Sequence, residues 1–365
     1  MLKKIFLELL KEKSITPDAK KCFDITKNFL DNFKCEYINK DGTSNQILSK
    51  IYNDTGIHFA FCGHIDVVPA GDGWDSDPFL PVENNGIITA RGTQDMKSGV
   101  AAFLYACKKF NGKNIRKISI ILTSDEEGDG KNGTILALEY LAKNNDLPDL
   151  AIVAEPTCEK YFGDSIKVGR RGSIHANIKI IGKQGHAAYP EKCINPVHIG
   201  ANALSLIAGK NLDEGNEFFE PSKIVITNLK AGIGASNVTP NDFLISLNVR
   251  NSPLTNKDDL EKYLKKCLGN INYELEIKQG SEPFYTNTDS KLIKTLIKSL
   301  KDMGIENPNL NTKGGTSDAR LLAKFGVEVC EIGVVNDKIH AVNESVEFEQ
   351  VELLSECLLK LLNNL

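Results

Sequence analysis

Phe59-Ala60-Phe61-Cys62-Gly63-His64-Ile65-Asp66 is a short apolar run that ends abruptly in a histidine and an aspartate. Four apolar residues followed by polar ones read as a buried strand delivering side chains to a sheet edge. Two further runs repeat the pattern. Ile118-Ser119-Ile120-Ile121-Leu122 leads into Thr123-Ser124-Asp125-Glu126-Glu127, and Leu150-Ala151-Ile152-Val153-Ala154 leads into Glu155-Pro156. Helical patterns from Ser98 to Phe110 and from Thr134 to Lys143 separate them. Strands alternating with helices predict an α/β fold, a central mixed sheet flanked by helices. In such sheets sites form beyond the carboxyl ends of strands, and here those ends carry His, Asp and Glu.

The style changes near Gly169-Arg170-Arg171-Gly172. Strands are expected from Ile174 to Ile181, Lys223 to Leu229, Asp242 to Val249 and Ile271 to Ile277. Helices are expected from Pro196 to Ala208 and from Lys257 to Leu268. This strand-helix-strand order, given twice, is that of a ferredoxin-like unit. After Pro283 the α/β style resumes, with a helix from Ser290 to Met303, a strand from Val327 to Ile332 and a last helix from Phe348 to Leu362. The expected organisation is a discontinuous catalytic domain, residues 1–171 and 282–365, interrupted by a smaller α+β domain, residues 172–281.

Composition narrows the function classes. The 365 residues are 41% hydrophobic and 25% charged, which suits a folded core rather than a disordered chain. Forty-four basic residues against 48 acidic ones leave a formal net charge of -4, with no basic excess to attract nucleic acid. No apolar run nears the roughly 18 residues of a membrane helix. Leu2, Ile5, Phe6, Leu9 and Leu10 fall at helical spacing, and Glu8 and Lys11 interrupt the stretch, so an amphipathic helix is expected there rather than an export signal. Nine cysteines without repeated spacing are read as reduced thiols of a cytoplasmic protein.

His64, Asp66, Asp95, Glu126, Glu127, Glu155 and His340 form a mixed imidazole and carboxylate set, which suits zinc, manganese or cobalt. Singly, each has an ordinary explanation as a helix cap or surface residue. Jointly, several strand ends placing such groups along one edge point to a metal centre. His64 and Asp66 are two apart, so strand geometry points them the same way and Asp66 is placed to orient the imidazole. In the tandem Glu126-Glu127 the neighbours point apart, so one can bind metal while the other acts as general base. No Gly-x-Gly-x-x-Gly follows a strand, which excludes a dinucleotide-binding oxidoreductase. A non-catalytic binding protein on the same fold would be expected to lack a ligand or the base.

The strings Gly63-His64-Ile65-Asp66-Val67-Val68-Pro69, Gly92-Thr93-Gln94-Asp95-Met96-Lys97, Ser124-Asp125-Glu126-Glu127-Gly128 and Glu155-Pro156 resemble the di-zinc metallohydrolases of the aminoacylase/carboxypeptidase-like family. The resemblance spans nearly the whole chain. It implies a homodimeric amidohydrolase with two zinc ions per subunit, for which cobalt can substitute. One zinc is expected on His64 and Glu155, the other on Glu127 and His340. Asp95 would bridge them, preceding a cis peptide to Met96. Glu126 would be the general base and Asp66 the partner of His64.

Segments 169–173, 184–190, 195–198, 215–219 and 314–318 look most like family members that act on N-succinyl-LL-2,6-diaminopimelate. The alternatives are N-acetylornithine or N-acyl amino acid specificity on the same machinery. Such a substrate carries three carboxylates around its amide, which Arg170 and Arg250 are suited to clamp. Gly315 and Thr316 would offer an anion nest, and the resemblance adds Ser173 and Asn336 to the substrate-binding set. It also implies that His186, with Tyr189 and Asn237, reaches the active site of the other subunit, where His186 supports the oxyanion. Three departures bear on the substrate pocket: Ser236 in place of a second Asn, Ala319 in place of Gly, and Asp337-Lys338 before His340.

Overall fold

Strand Ile57–His64 is buried along almost its whole length because it lies inside an eight-stranded sheet. The structure is a computed structural model and describes residues 1–112 and 114–365. Across the sheet the order is Lys34–Lys40, Thr43–Ile51, Ile115–Thr123, Ile57–His64, Leu150–Val153, Glu328–Glu331, Ser165–Lys167 and Asn309–Asn311. The central pairings, from Ile115–Thr123 through Glu328–Glu331, are parallel, whereas the pairings of the first two strands are antiparallel. A sheet covered on both faces explains why the central strands read as continuous apolar runs. Register aligns His64 with Thr123 and Cys62 with Val153. The His64, Glu126-Glu127 and Glu155 segments therefore leave the sheet at one edge.

The chain divides into two compact units. The first comprises residues 1–169, 286–311 and 317–365 and holds the eight-stranded sheet. Its helix Lys97–Lys109 is buried on nearly all sides, packed by Leu2–Lys11 and Phe348–Asn364. Gly99 permits the close approach of this helix to the sheet edge, because a Cβ there would stand 2.4 Å from the Ala154 carbonyl oxygen. The amphipathic reading of the first helix holds, with Leu2, Ile5, Phe6, Leu9 and Leu10 all buried. Among the described residues no helix is long and apolar enough to cross a membrane.

The second unit comprises residues 170–285 and 312–316. Its antiparallel sheet runs Lys223–Ala231, Asp242–Arg250, Ser173–Ile181, Tyr273–Ser281. Helices Pro196–Ile207 and Lys257–Leu268 supply the other half of one core, in which Ile174, Ile178 and Ile180 alternate with exposed or half-buried neighbours. This is the ferredoxin-like order expected. The last strand begins at Tyr273 rather than Ile271, because Gly269 turns with φ +56 and the Ile271 amide still donates to Leu268 at 3.2 Å. Residues 312–316, expected with the catalytic part, group with this unit. There the Arg170 guanidinium donates to the Lys313 carbonyl at 3.0 Å.

The sequence reading passed over several elements, two of which carry turn signals. One is the hairpin of Lys34–Lys40 with Thr43–Ile51, turned by Asp41 and Gly42 at φ +49 and +86. Such Asp-Gly pairs suit a two-residue turn. The other is a three-stranded sheet of Val82–Asn84, Ile87–Thr89 and Ser345–Glu347.

Candidate metal centre

Within the first unit, Asp95 faces two imidazoles with its two carboxylate oxygens. Its Oδ1 lies 3.0 Å from His64 Nε2 and its Oδ2 lies 3.3 Å from His340 Nε2. Glu155 Oε1 stands 3.6 Å from His64 Nε2, and Glu127 Oε1 stands 2.9 Å from His340 Nε2. Two triads result, His64–Asp95–Glu155 and Asp95–Glu127–His340, each with ligand atoms within 4.8 Å of one another. The first triad is wholly buried, while the His340 side chain is 49% exposed. The peptide from Asp95 to Met96 is cis, as the resemblance implies.

Each side chain is set by its element. His64 ends its strand, and its Nδ1 bonds to the main-chain carbonyl of Asp66 at 2.9 Å, which leaves Nε2 directed to the cluster. The expected carboxylate–imidazole bond is not made. The Asp66 carboxylate stands 3.7 Å from Nδ1, beyond hydrogen-bond distance. Instead it accepts from the Glu127 amide at 3.2 Å, with the Glu126 amide at 3.5 Å, and so fixes the main chain of the tandem pair. Glu155 follows a fully buried strand, and Gly333 crowds its carbonyl so closely that a Cβ would lie 2.2 Å from the oxygen. His340 sits on a turn with φ +59.

The electrostatics of this cluster suit cations. Burial pushes the Glu126 carboxyl up to about 8, and Asp318, Asp95 and Glu127 add to the rise against the pull of His64. Burial, then Asp95, raises the Glu155 carboxyl well above its ordinary value. Burial would raise Asp95 too, but its bonds to His340 and His64 outweigh that and hold its carboxyl below the usual range. The bonds to Asp95 and Glu127 lift the His340 imidazole to about 10. Asp95, Glu126, Glu127 and Glu155 match two divalent cations in charge, and nitrogen with oxygen donors suits zinc and its neighbours. The residues present therefore fit a two-cation centre.

The other expected residues divide between the units. Asn336 is in the first, its side-chain amide donating to the Pro156 carbonyl at 3.1 Å, beside Glu155. Arg170, Ser173, His186, Tyr189, Asn237, Arg250, Gly315 and Thr316 are in the second. There the rings of His186 and Tyr189 lie 5.8 Å apart and the Ala187 amide donates to the Asn237 carbonyl at 2.9 Å, which gathers these three at one corner of that unit. Ser173 bonds within the sheet, its Oγ receiving from Asn248 at 3.1 Å.

Of the three departures, Ala319 is buried in the core of the first unit, and Asp337 and Lys338 engage Gln94. Reading by residue type passed over Arg91 and Glu344, a buried ion pair at 2.8 Å within four residues of Asp95 and His340 respectively. Partners separated by 253 positions leave no local spacing signal.

The chain belongs to Peptidase family M20/M25/M40, whose sequence profile matches residues 60–364. It is 52% identical over 362 residues to the succinyl-diaminopimelate desuccinylase of Aliarcobacter butzleri (strain RM4018), covering 99% of this chain and 98% of that one. It is 49% identical over 355 residues to the enzyme of the same name from Sulfurimonas denitrificans, covering 96% of each chain. Among solved structures, it resembles aminopeptidase PepT from Bacillus cereus ATCC 10987 with a TM-score of 0.82 at 21% identity, covering 100% of this chain and 97% of that one. It also resembles the M20 family metallo-carboxypeptidase Sso-CP2 from Sulfolobus solfataricus with a TM-score of 0.77 at 19% identity, covering 99% and 98%. At these identities the likeness shows a shared fold.

Proposed function

We propose that the protein hydrolyses N-succinyl-LL-2,6-diaminopimelate to succinate and LL-2,6-diaminopimelate, a step of lysine and cell-wall diaminopimelate biosynthesis. The observation that carries this reading is the identity of about half over nearly the full chain to relatives named for that reaction. The metal cluster supports it, because every ligand and the base that the chemistry requires are present. His64 and Glu155 would hold one cation, Glu127 and His340 the other, with Asp95 between them. Bound there, two zinc ions, or cobalt in their place, supply Lewis-acid polarisation of the amide carbonyl and a water of lowered pKa.

This chain's own residues do the rest. Glu126 accepts the proton of the attacking water as oxygen adds to the succinyl carbonyl. It then returns that proton to the departing amine, which leaves as the free amino group of diaminopimelate. Asp66, by holding the amides of Glu126 and Glu127, keeps base and ligand in register. Arg170 and Arg250 are assigned to substrate carboxylates, whose paired oxygens match a guanidinium. Ser173, Tyr189, Asn237, Gly315, Thr316 and Asn336 complete the proposed substrate set.

The protein is proposed to act in the cytoplasm as a homodimer, with His186 of the partner subunit donating to the oxyanion. Strand Lys223–Ala231 lies at the open edge of the second unit's sheet, with Val225 and Leu229 about half exposed. Such an edge is a template for pairing with another chain. Helix Pro196–Ile207 likewise leaves Ile199 and Leu206 exposed. The test of the reading is Glu126→Gln. It should retain both metals and lose about a thousandfold in turnover of the succinylated substrate. Turnover near that of the unaltered enzyme would overturn the role of Glu126.

A further inference from the structure

Asp95 and His340 both sit on loops, and neither loop is positioned by the large sheet that fixes His64 and Glu155. What holds them is a set of buried polar groups outside the ligand shell. Strand Ile87–Thr89 pairs with Ser345–Glu347, Thr89 opposite Ser345, so the chain entering the Asp95 loop and the chain leaving the His340 loop run side by side. Just past that register, the fully buried Glu344 accepts from four donors. Its Oε2 takes the Arg91 guanidinium at 2.8 Å and the Gly92 amide at 2.9 Å. Its Oε1 takes the Gln94 amide at 2.7 Å and the Asp95 amide at 3.2 Å.

Arg91 reaches the same loop from the other side. Its guanidinium donates to the Ala341 carbonyl at 3.2 Å and the His340 carbonyl at 3.4 Å, and also to the Ala70 carbonyl at 3.1 Å. Gln94 adds a second tie. Its side-chain amide donates to Asp337 Oδ1 at 2.5 Å and the Ser345 carbonyl at 2.7 Å, and its Oε1 accepts from the Lys338 amide at 3.0 Å.

We propose that Arg91, Gln94 and Glu344 are positioning residues, a clamp that fixes the His340 turn against the Asp95 loop and so builds the cation site of Asp95, Glu127 and His340. The inference rests on the two-cation reading. It predicts a graded asymmetry: both sites share Asp95, but the other site draws its remaining ligands, His64 and Glu155, from strand ends that the clamp does not touch. Ligand-orienting groups of this kind typically change metal affinity 10- to 100-fold. The Asp337-Lys338 pair, which departs from the family pattern, then serves the clamp rather than the substrate.

The test is stepwise zinc binding to the metal-free full-length protein, by calorimetry against a competing chelator, with visible absorption of the cobalt-loaded form alongside. His340→Ala identifies which step belongs to the clamped site. Gln94→Ala removes one tie without burying an unpaired charge, and Glu344→Gln weakens the other. Both should weaken the His340-dependent step at least tenfold and alter its cobalt bands, while the other step, which shares only Asp95 with it, changes by a distinctly smaller factor. Arg91→Lys, which keeps the charge but not the fork, should fall between them and the unaltered protein. If the variants melt earlier yet bind both cations as before, or lose both steps equally, the clamp is only structural and the proposal fails. If the unaltered protein takes up fewer than two cations, the two-cation reading fails and the clamp falls with it.

Discussion

Asp95 Oδ2 lies 3.3 Å from His340 Nε2, and the other oxygen of the same carboxylate is turned toward His64. One side chain thus joins a buried triad to a half-exposed one. A carboxylate in that position is shared, so its loss is felt twice. Asp95→Ala should reduce bound zinc from two per chain to below one, whereas His340→Ala should keep about one. Metal content of the purified proteins checks this, and equal retention in both variants would contradict the bridging role.

Much of the fold and part of this centre were legible in the sequence. The runs ending at His64, Glu126-Glu127 and Glu155 announced themselves because a fully buried strand tolerates polar residues only where it leaves the sheet. The second unit was legible from its order of strands and helices after Gly169-Arg170-Arg171-Gly172, and the alternating burial of Ser173–Ile181 agrees with it. The Arg91–Glu344 pair was not legible, since its meaning lies in a contact across most of the chain. The Asp66 bond was misassigned because strand geometry gives the direction of a side chain, not whether a main-chain carbonyl will reach the imidazole first. The hairpin at Asp41-Gly42 and the strand pair at Asn85-Gly86 did carry turn signals. Their strands lack the apolar runs that drew attention elsewhere.

The second unit carries a pH dependence of its own. Asp213 is partly buried, which would raise its carboxyl, but bonds from Ser222, Thr255 and the Gly215 amide bring it down to about 2 from an ordinary 3.8. A depressed folded-state value means the charged form is the one that stabilises. That contribution is complete above about pH 4 and is lost as pH falls from 3.8 through about 2. Asp213→Asn should lower the melting temperature at neutral pH and flatten its fall below pH 4. A melting curve with unchanged acid dependence would contradict the assignment.

If His186 serves the partner's site, two inactive chains should complement one another. Co-expressed His186→Ala and Glu126→Gln chains, purified as the mixed dimer through two different tags, contain one site with both groups. Such a dimer should show about half the turnover of the unaltered dimer, since one of two sites is restored. Turnover no higher than that of either variant alone would place His186 in its own subunit's chemistry.

Steady-state release of the free amine, the product common to all the candidate substrates, tests the central claim most directly. The zinc-loaded protein would be compared on N-succinyl-LL-2,6-diaminopimelate, N-acetylornithine and N-acetyl amino acids. The expected result is a kcat/KM for the succinylated substrate at least a thousandfold above the others. This is the discrimination available where buried polar groups are left unpaired by the wrong ligand. Faster turnover of an acetylated substrate would keep the metal centre and overturn the specificity. No turnover of any of them, with two zinc ions bound, would contradict the assignment of the protein as a hydrolase.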